Sequence, residues 1–421
     1  MSYPQRGSHN GKMIRPWPLA LVPARRSAIG RAWRWVSPLA TAILLASCSS
    51  SVNQELIASP TPYPVRSPVV PDELVGVLEI PPTGPGATAA AALRRRDAAQ
   101  AEAAFSTVIA ATPRGAGAVD AYLGRAQARD LAGDPRAALI DLDEAVRLAP
   151  ERGDLLLVRA AVQARLGAAE EALADFGAAI RLDPGAAVAY EGRGLVEVWS
   201  AKGDPVRYQA ALDDFKRAIA LDPTLATARI GPALVYADRA AFRGDPTDRD
   251  HALRTLDALP ELAGDPRVGA LRARLLAERG DQAGAEQALS AARAALDGSP
   301  PALEATVDLA ASVVALEAGD WVTAEREARA AIAVDPFLWD ARRILARAQL
   351  GRGDGLAALV TLDDLLTALP EDGEALYLRG VALTSLRRGE EARRVLEAAR
   401  DALLASPVYQ ARIAEALERI P

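Results

Sequence analysis

The chain has 421 residues, half of them hydrophobic, with 49 basic and 55 acidic side chains. Two histidines and one cysteine leave too few ligands for a His/Cys zinc centre and no partner for an internal disulfide. The acidic balance argues against general nucleic-acid binding, which needs a basic footprint to neutralise phosphates.

At the amino terminus, residues 1–47 carry Arg6, Lys12, Arg15, Arg25, Arg26, Arg31 and Arg34 and no acidic side chain. An apolar run from Pro38 to Ala46 then leads into Leu45-Ala46-Ser47-Cys48. A basic region, a short apolar core and small residues before a cut form the layout of an export signal. The run is about half the ~20 apolar residues that a membrane-spanning helix needs. The tetrad resembles the bacterial lipobox. That resemblance implies a diacylglyceryl group on the Cys48 thiol, cleavage before it and acylation of the new terminus. The expected location is the extracytoplasmic face of a bacterial membrane, inner or outer. A cytoplasmic chain starting at Met13, with a chance match at Cys48, is the competing reading.

Residues 48–86 are of a different composition. Ser59-Pro60-Thr61-Pro62 and Pro81-Pro82 deny the backbone both helix and ladder, so the segment reads as an extended tether. At about 3.1 Å per residue it would reach roughly 110 Å. Leu74, Val75, Val77, Leu78 and Ile80 are apolar enough for part of it to dock as a cap.

From residue 87 onward the chain repeats itself. Small residues at Ala126, Ala160, Gly194, Gly231, Ala273, Ser312, Ala346 and Gly380 each precede an alanine: Ala138, Ala172, Ala211, Ala252, Ala285, Ala324, Ala358 and Ala392. The basic step is 34 residues, for example from Ala138 to Ala172, with short insertions elsewhere. Within one unit, Leu156, Ala160 and Ala164 line a first helix ending at Leu166-Gly167. Ala172, Phe176, Ala179 and Ile180 stripe a second, which Pro184 stops. Neither helix can bury its stripe alone, so each hairpin needs neighbours.

These residues resemble the tetratricopeptide repeat. The pattern stands as Ala172/Phe176/Ala179, Ala211/Phe215/Ala218, Ala138/Leu142/Ala145 and Ala392/Leu396/Ala399, closed by Asp183-Pro184, Asp222-Pro223 and Asp335-Pro336. A weaker unit at Ala101, Phe105 and Pro113 precedes them, while Leu259, Leu365 and Ala328 depart from the pattern and predict altered packing angles. The resemblance implies an all-α fold: a right-handed α-α superhelix, or solenoid, of eight to nine hairpins over 87–421. It further implies a concave groove, lined by first helices, that takes a protein or peptide partner. By position the groove includes Glu191, Leu195, Trp199, Tyr236, Arg274, Arg343, Arg347 and Tyr377. Arg159-Ala160, Arg193-Gly194 and Arg379-Gly380 are also like bacterial members, whereas the Lys/Asn clamp of chaperone-tail binders is missing: the asparagines are Asn10 and Asn53.

Little points to catalysis or to a bound cofactor. His251 follows Asp248-Arg249-Asp250 and reads as an exposed histidine near a helix start. Gly351, Gly353 and Gly355 read as a turn between hairpins, since no Gly-Lys-Ser/Thr follows. The expected function is a lipid-anchored interaction scaffold of the cell envelope. A soluble adaptor is the first alternative, and an envelope enzyme with its site in the groove the second. The connections near Lys202, Arg243 and Gly298 are expected flexing points.

Overall fold

The structure, a computed structural model, describes residues 85–114, 117–299 and 301–420. The lipobox, the signal and nearly all of the tether lie outside them. Among the described residues there are nineteen α-helices, a short 3-10 turn and no strand. None of these helices is long and apolar enough to cross a membrane.

Eighteen of the helices pair into nine antiparallel hairpins, each with an inner and an outer member. The first four are α1 (Pro85–Arg94) with α2 (Ala98–Ala111), α3 (Ala118–Leu131) with α4 (Pro135–Leu148), α5 (Gly153–Leu166) with α6 (Ala169–Leu182), and α7 (Ala187–Ala201) with α8 (Pro205–Leu221). Next come α9 (Ala226–Arg243) with α10 (Pro246–Asp257), α11 (Pro266–Glu278) with α12 (Gln282–Ala294), and α13 (Pro301–Glu317) with α14 (Trp321–Val334). The last pairs are α15 (Trp339–Gly351) with α16 (Gly355–Ala368) and α17 (Gly373–Ser385) with α18 (Gly389–Ala402). A single helix, α19 (Pro407–Glu418), ends the array.

The turn inside most hairpins follows one local rule. Gly133 adopts φ +83, closing α3, and the Asp134 carboxylate then accepts a hydrogen bond from Ala137 N at 2.9 Å to cap α4. Gly280-Asp281, Gly319-Asp320 and Gly353-Asp354 repeat the device, because a left-handed residue suits glycine and an aspartate satisfies an orphan amide. Gly351, Gly353 and Gly355 therefore form the turn within the eighth hairpin, not one between hairpins. In the ninth hairpin the left-handed position is held by Arg387, at φ +58.

Packing follows the register of the sequence. The alanines at 138, 172, 211, 252, 285, 324, 358 and 392 expose no surface at all. Each lies where two backbones cross, and in all but the seventh hairpin a bulky residue four positions on fills the space beside it. Phe215 is held between two glycines: a Cβ on Gly194 would come within 3.1 Å of its ring, and one on Gly231 within 2.4 Å. Ala328 puts no bulky side chain at that register position of the seventh hairpin, and there Trp321 lies against Gly351 of the next inner helix. The register is also less even there, with α11 lying directly against α13. One hydrophobic cluster runs from Leu156 to Ala348 across six hairpins, so neighbours supply the cover that no hairpin has by itself.

Candidate protein-interaction surface

Ion pairs that keep the same register tie helices together within hairpins and between neighbours. Arg125 pairs with Asp141 at 2.6 Å, Arg159 with Asp175 at 2.6 Å and Arg193 with Asp214 at 2.7 Å, each from inner to outer helix. Arg159 also reaches Asp143 of the preceding hairpin at 2.9 Å, and Arg379 reaches Asp363 in the same way at 2.6 Å. The arginines beside the small residues are therefore structural struts.

From α5 to α17 the inner helices are buried on both sides. One side packs on the outer helices; the other meets the inner helices of neighbouring hairpins and, at two points, residues from the carboxy-terminal part of the array. Of the eight positions assigned to the groove, seven are covered. Glu191 is fully buried and accepts a hydrogen bond from Ala228 N at 2.9 Å, the start of the next inner helix. Leu195 and Trp199 are buried in the main cluster. Arg274, Arg343, Arg347 and Tyr377 are among the largest side chains with essentially no exposure. Tyr236 alone is half-buried, its ring 5.4 Å from that of exposed His251 and 5.1 Å from the Arg239 guanidinium. An accessible groove at these residues is thus corrected to a closed inner surface.

That surface is an acid–base network. Arg343 pairs with Asp340 and Asp372 and lies 3.5 Å from Glu374. Arg274 donates to Glu278 at 2.8 Å, and Arg249 reaches the same carboxylate at 3.2 Å. Burial pushes the Glu374 carboxyl up to about 8, against the pull of Arg343 and Arg347. It likewise pushes Asp238 well above the carboxylate range, although Tyr208 donates to it. Burial depresses Arg274 to about 9, against the pull of Glu278, Asp238 and Asp340.

Two contacts far apart in sequence close the surface. In the first, Arg165 at the end of α5 donates to Asp130 at 2.7 Å and to Asp335 at 3.4 Å. Its guanidinium lies 4.7 Å from the centre of the Phe337 ring, and Trp339 Nε1 donates to the Arg165 carbonyl at 3.0 Å. In the second, Ser406 Oγ donates to the Phe242 carbonyl at 2.7 Å, and the rings of Phe242 and Tyr409 lie 5.7 Å apart. Gly203 belongs to the same contact: a Cβ there would meet the Ala405 carbonyl at 2.7 Å. The turns near Lys202 and Arg243, expected to flex, are therefore docking points for the start of α19. Each contact joins hairpins about five repeats apart, so the superhelix meets itself after one turn.

Residues 123–187 and 346–405 match the family model of the tetratricopeptide repeat. No curated protein matches the chain. Among solved structures, it is similar to a tetratricopeptide repeat protein from Parabacteroides merdae: 19% identity, TM-score 0.49, covering 62% of this chain and 96% of that one. It is also similar to yeast Tom70: 16% identity, TM-score 0.46, covering 90% of this chain and 76% of that one. Sequence, hairpin geometry and family model agree on one conclusion: the chain is an all-α solenoid of helical hairpins, matched as tetratricopeptide repeats over 123–187 and 346–405.

Proposed function

We propose that this protein is a protein-binding scaffold, held at the extracytoplasmic face of a bacterial membrane by lipid on Cys48. The observation that carries the binding role is the unbroken row of nine hairpins, whose inner helices concentrate arginine, tyrosine and tryptophan on one surface. The partner would be a protein segment with an apolar anchor that meets Tyr236, the one groove position left half-buried, beside the Arg239 guanidinium. The anchor rests on the Leu45-Ala46-Ser47-Cys48 tetrad and the basic, acid-free leader before it. Several acyl chains at about 0.8 kcal/mol per buried methylene hold a protein far more firmly than one myristoyl group does.

Two experiments address the two halves. Palmitate labelling and globomycin-sensitive processing are expected in cells, both lost in Cys48→Ala; no incorporation would favour a soluble adaptor. Affinity capture from membranes is expected to retain a specific protein, weakened by Tyr236→Ala, a change that leaves the closed core intact. Equal capture by both chains would move the binding surface elsewhere. Turnover of a hydrolase substrate abolished by His251→Ala would favour the enzyme reading.

A further inference from the structure

Both cross-turn contacts bind the same two bodies. Hairpins two to five supply Asp130, Arg165, Gly203 and Phe242; the region from Asp335 to α19 supplies Trp339, Ser406 and Tyr409. Between these bodies the packing of successive hairpins is irregular. The 3-10 turn Pro260–Leu262 interrupts one connection, and α11 packs on α13 rather than through an outer helix alone. A chain irregular in its middle and clasped at two points across its turn can open there as two bodies rather than fraying hairpin by hairpin.

The closed state also carries a penalty. Arg274 is buried, yet its Nη1 and Nη2 have no hydrogen-bond partner among the described residues, and neither does Asp238 Oδ1. Buried polar atoms without partners are destabilising, and opening would return them to water. The clasp itself is shallow at one end, since α19 buries only Tyr409, Ile413 and Ala416. Beside it, Leu404 is three-quarters exposed.

We propose that the Arg165–Trp339 and Phe242–Ser406–Tyr409 contacts are one latch, which releases as a unit and thereby admits a protein partner to the inner surface. The admission of a partner rests on the scaffold reading above; the latch does not.

The test is hydroxyl-radical footprinting of the full chain, with side-chain oxidation read residue by residue. Ser406→Ala or Tyr409→Ala, which weakens one contact, is expected to raise oxidation of Trp339 at the other by about fivefold, the low end of ordinary site-to-site coupling. Conversely, Arg165→Ala is expected to raise Phe242 by a similar factor, because coupling is reciprocal. Phe105 and Phe176, buried in hairpins one and three, serve as references. A response in the Ser406 and Tyr409 variants confined to Phe242 and residues of α19 would make that helix a local cap and overturn the proposal. An equal rise at Phe105 and Phe176 would also overturn it, because the whole array would then open. No partner is needed, so a failed footprint leaves protein binding standing, and a failed capture leaves the latch standing.

Discussion

Ala172 exposes nothing where α5 and α6 cross, and Phe176 already fills the space beside it. A larger side chain there must push the helices apart. Ala172→Phe is expected to lower stability by about 1–3 kcal/mol in chemical denaturation. Change at Glu170, on the exposed face, should matter little, since its pair with Arg207 stands in water. Glu374 offers a different handle. Its carboxyl is fully buried and faces Arg343, Arg347, Asp372 and Asp340, and its folded value of about 8 lies above the unfolded one. Its stabilising effect is therefore complete below the unfolded value, near 4.5, and is lost as pH rises through 8. Glu374→Gln removes that loss. The variant should gain stability relative to the parent between pH 5 and pH 9, by roughly one to a few kcal/mol. A constant difference across that range would contradict the assignment.

At the scale of elements, the hairpin turn is the informative unit. A carboxylate that caps a helix is worth about 1 kcal/mol, so Asp354→Ala should lower the midpoint of urea unfolding accordingly. The ninth hairpin breaks the rule, with Arg387 where Gly133 and Gly353 stand in theirs. A left-handed residue with a side chain is strained by about 1–2 kcal/mol, more than the roughly 0.5–1 kcal/mol of chain entropy that glycine adds. Arg387→Gly is thus expected to raise stability by about 0.5–1 kcal/mol, and a loss would contradict the strain argument. Most of this level is legible in sequence. Fully buried alanines at a step of 34, aspartate caps after glycine and proline stops are local signals, each readable without knowing the fold. The first hairpin is legible for the same reason, its Ala101 and Phe105 being buried as the register demands.

At the scale of the whole molecule, the sequence is silent on one point. Helical periodicity says which face of α11 or α15 turns inward, but not what covers it. Arg274, Arg343 and Arg347 sit on the inner face, as their register implies, yet the acidic groups that face them come from other hairpins: Asp238 and Asp340 for Arg274, Asp372 and Glu374 for Arg343, and Glu374 for Arg347. Trp339 and Arg165 meet across 174 positions, a separation at which no spacing or motif carries information. The same distance explains Lys202 and Arg243, which look like loose connections until Ala405 and Ser406 are seen against them. Closure also changes the energetics. An open solenoid behaves as a sum of nearest-neighbour terms, whereas contacts between distant hairpins add cooperativity that a one-dimensional array lacks.

Backbone hydrogen exchange followed by mass spectrometry tests closure most directly. Inner helices buried on both sides should exchange slowly and outer helices, wet on one side, faster, so protection should alternate between α7, α9, α11, α13, α15, α17 and their outer partners. Equal protection of inner and outer helices, as an inner surface open to water would give, would contradict the closed superhelix described above.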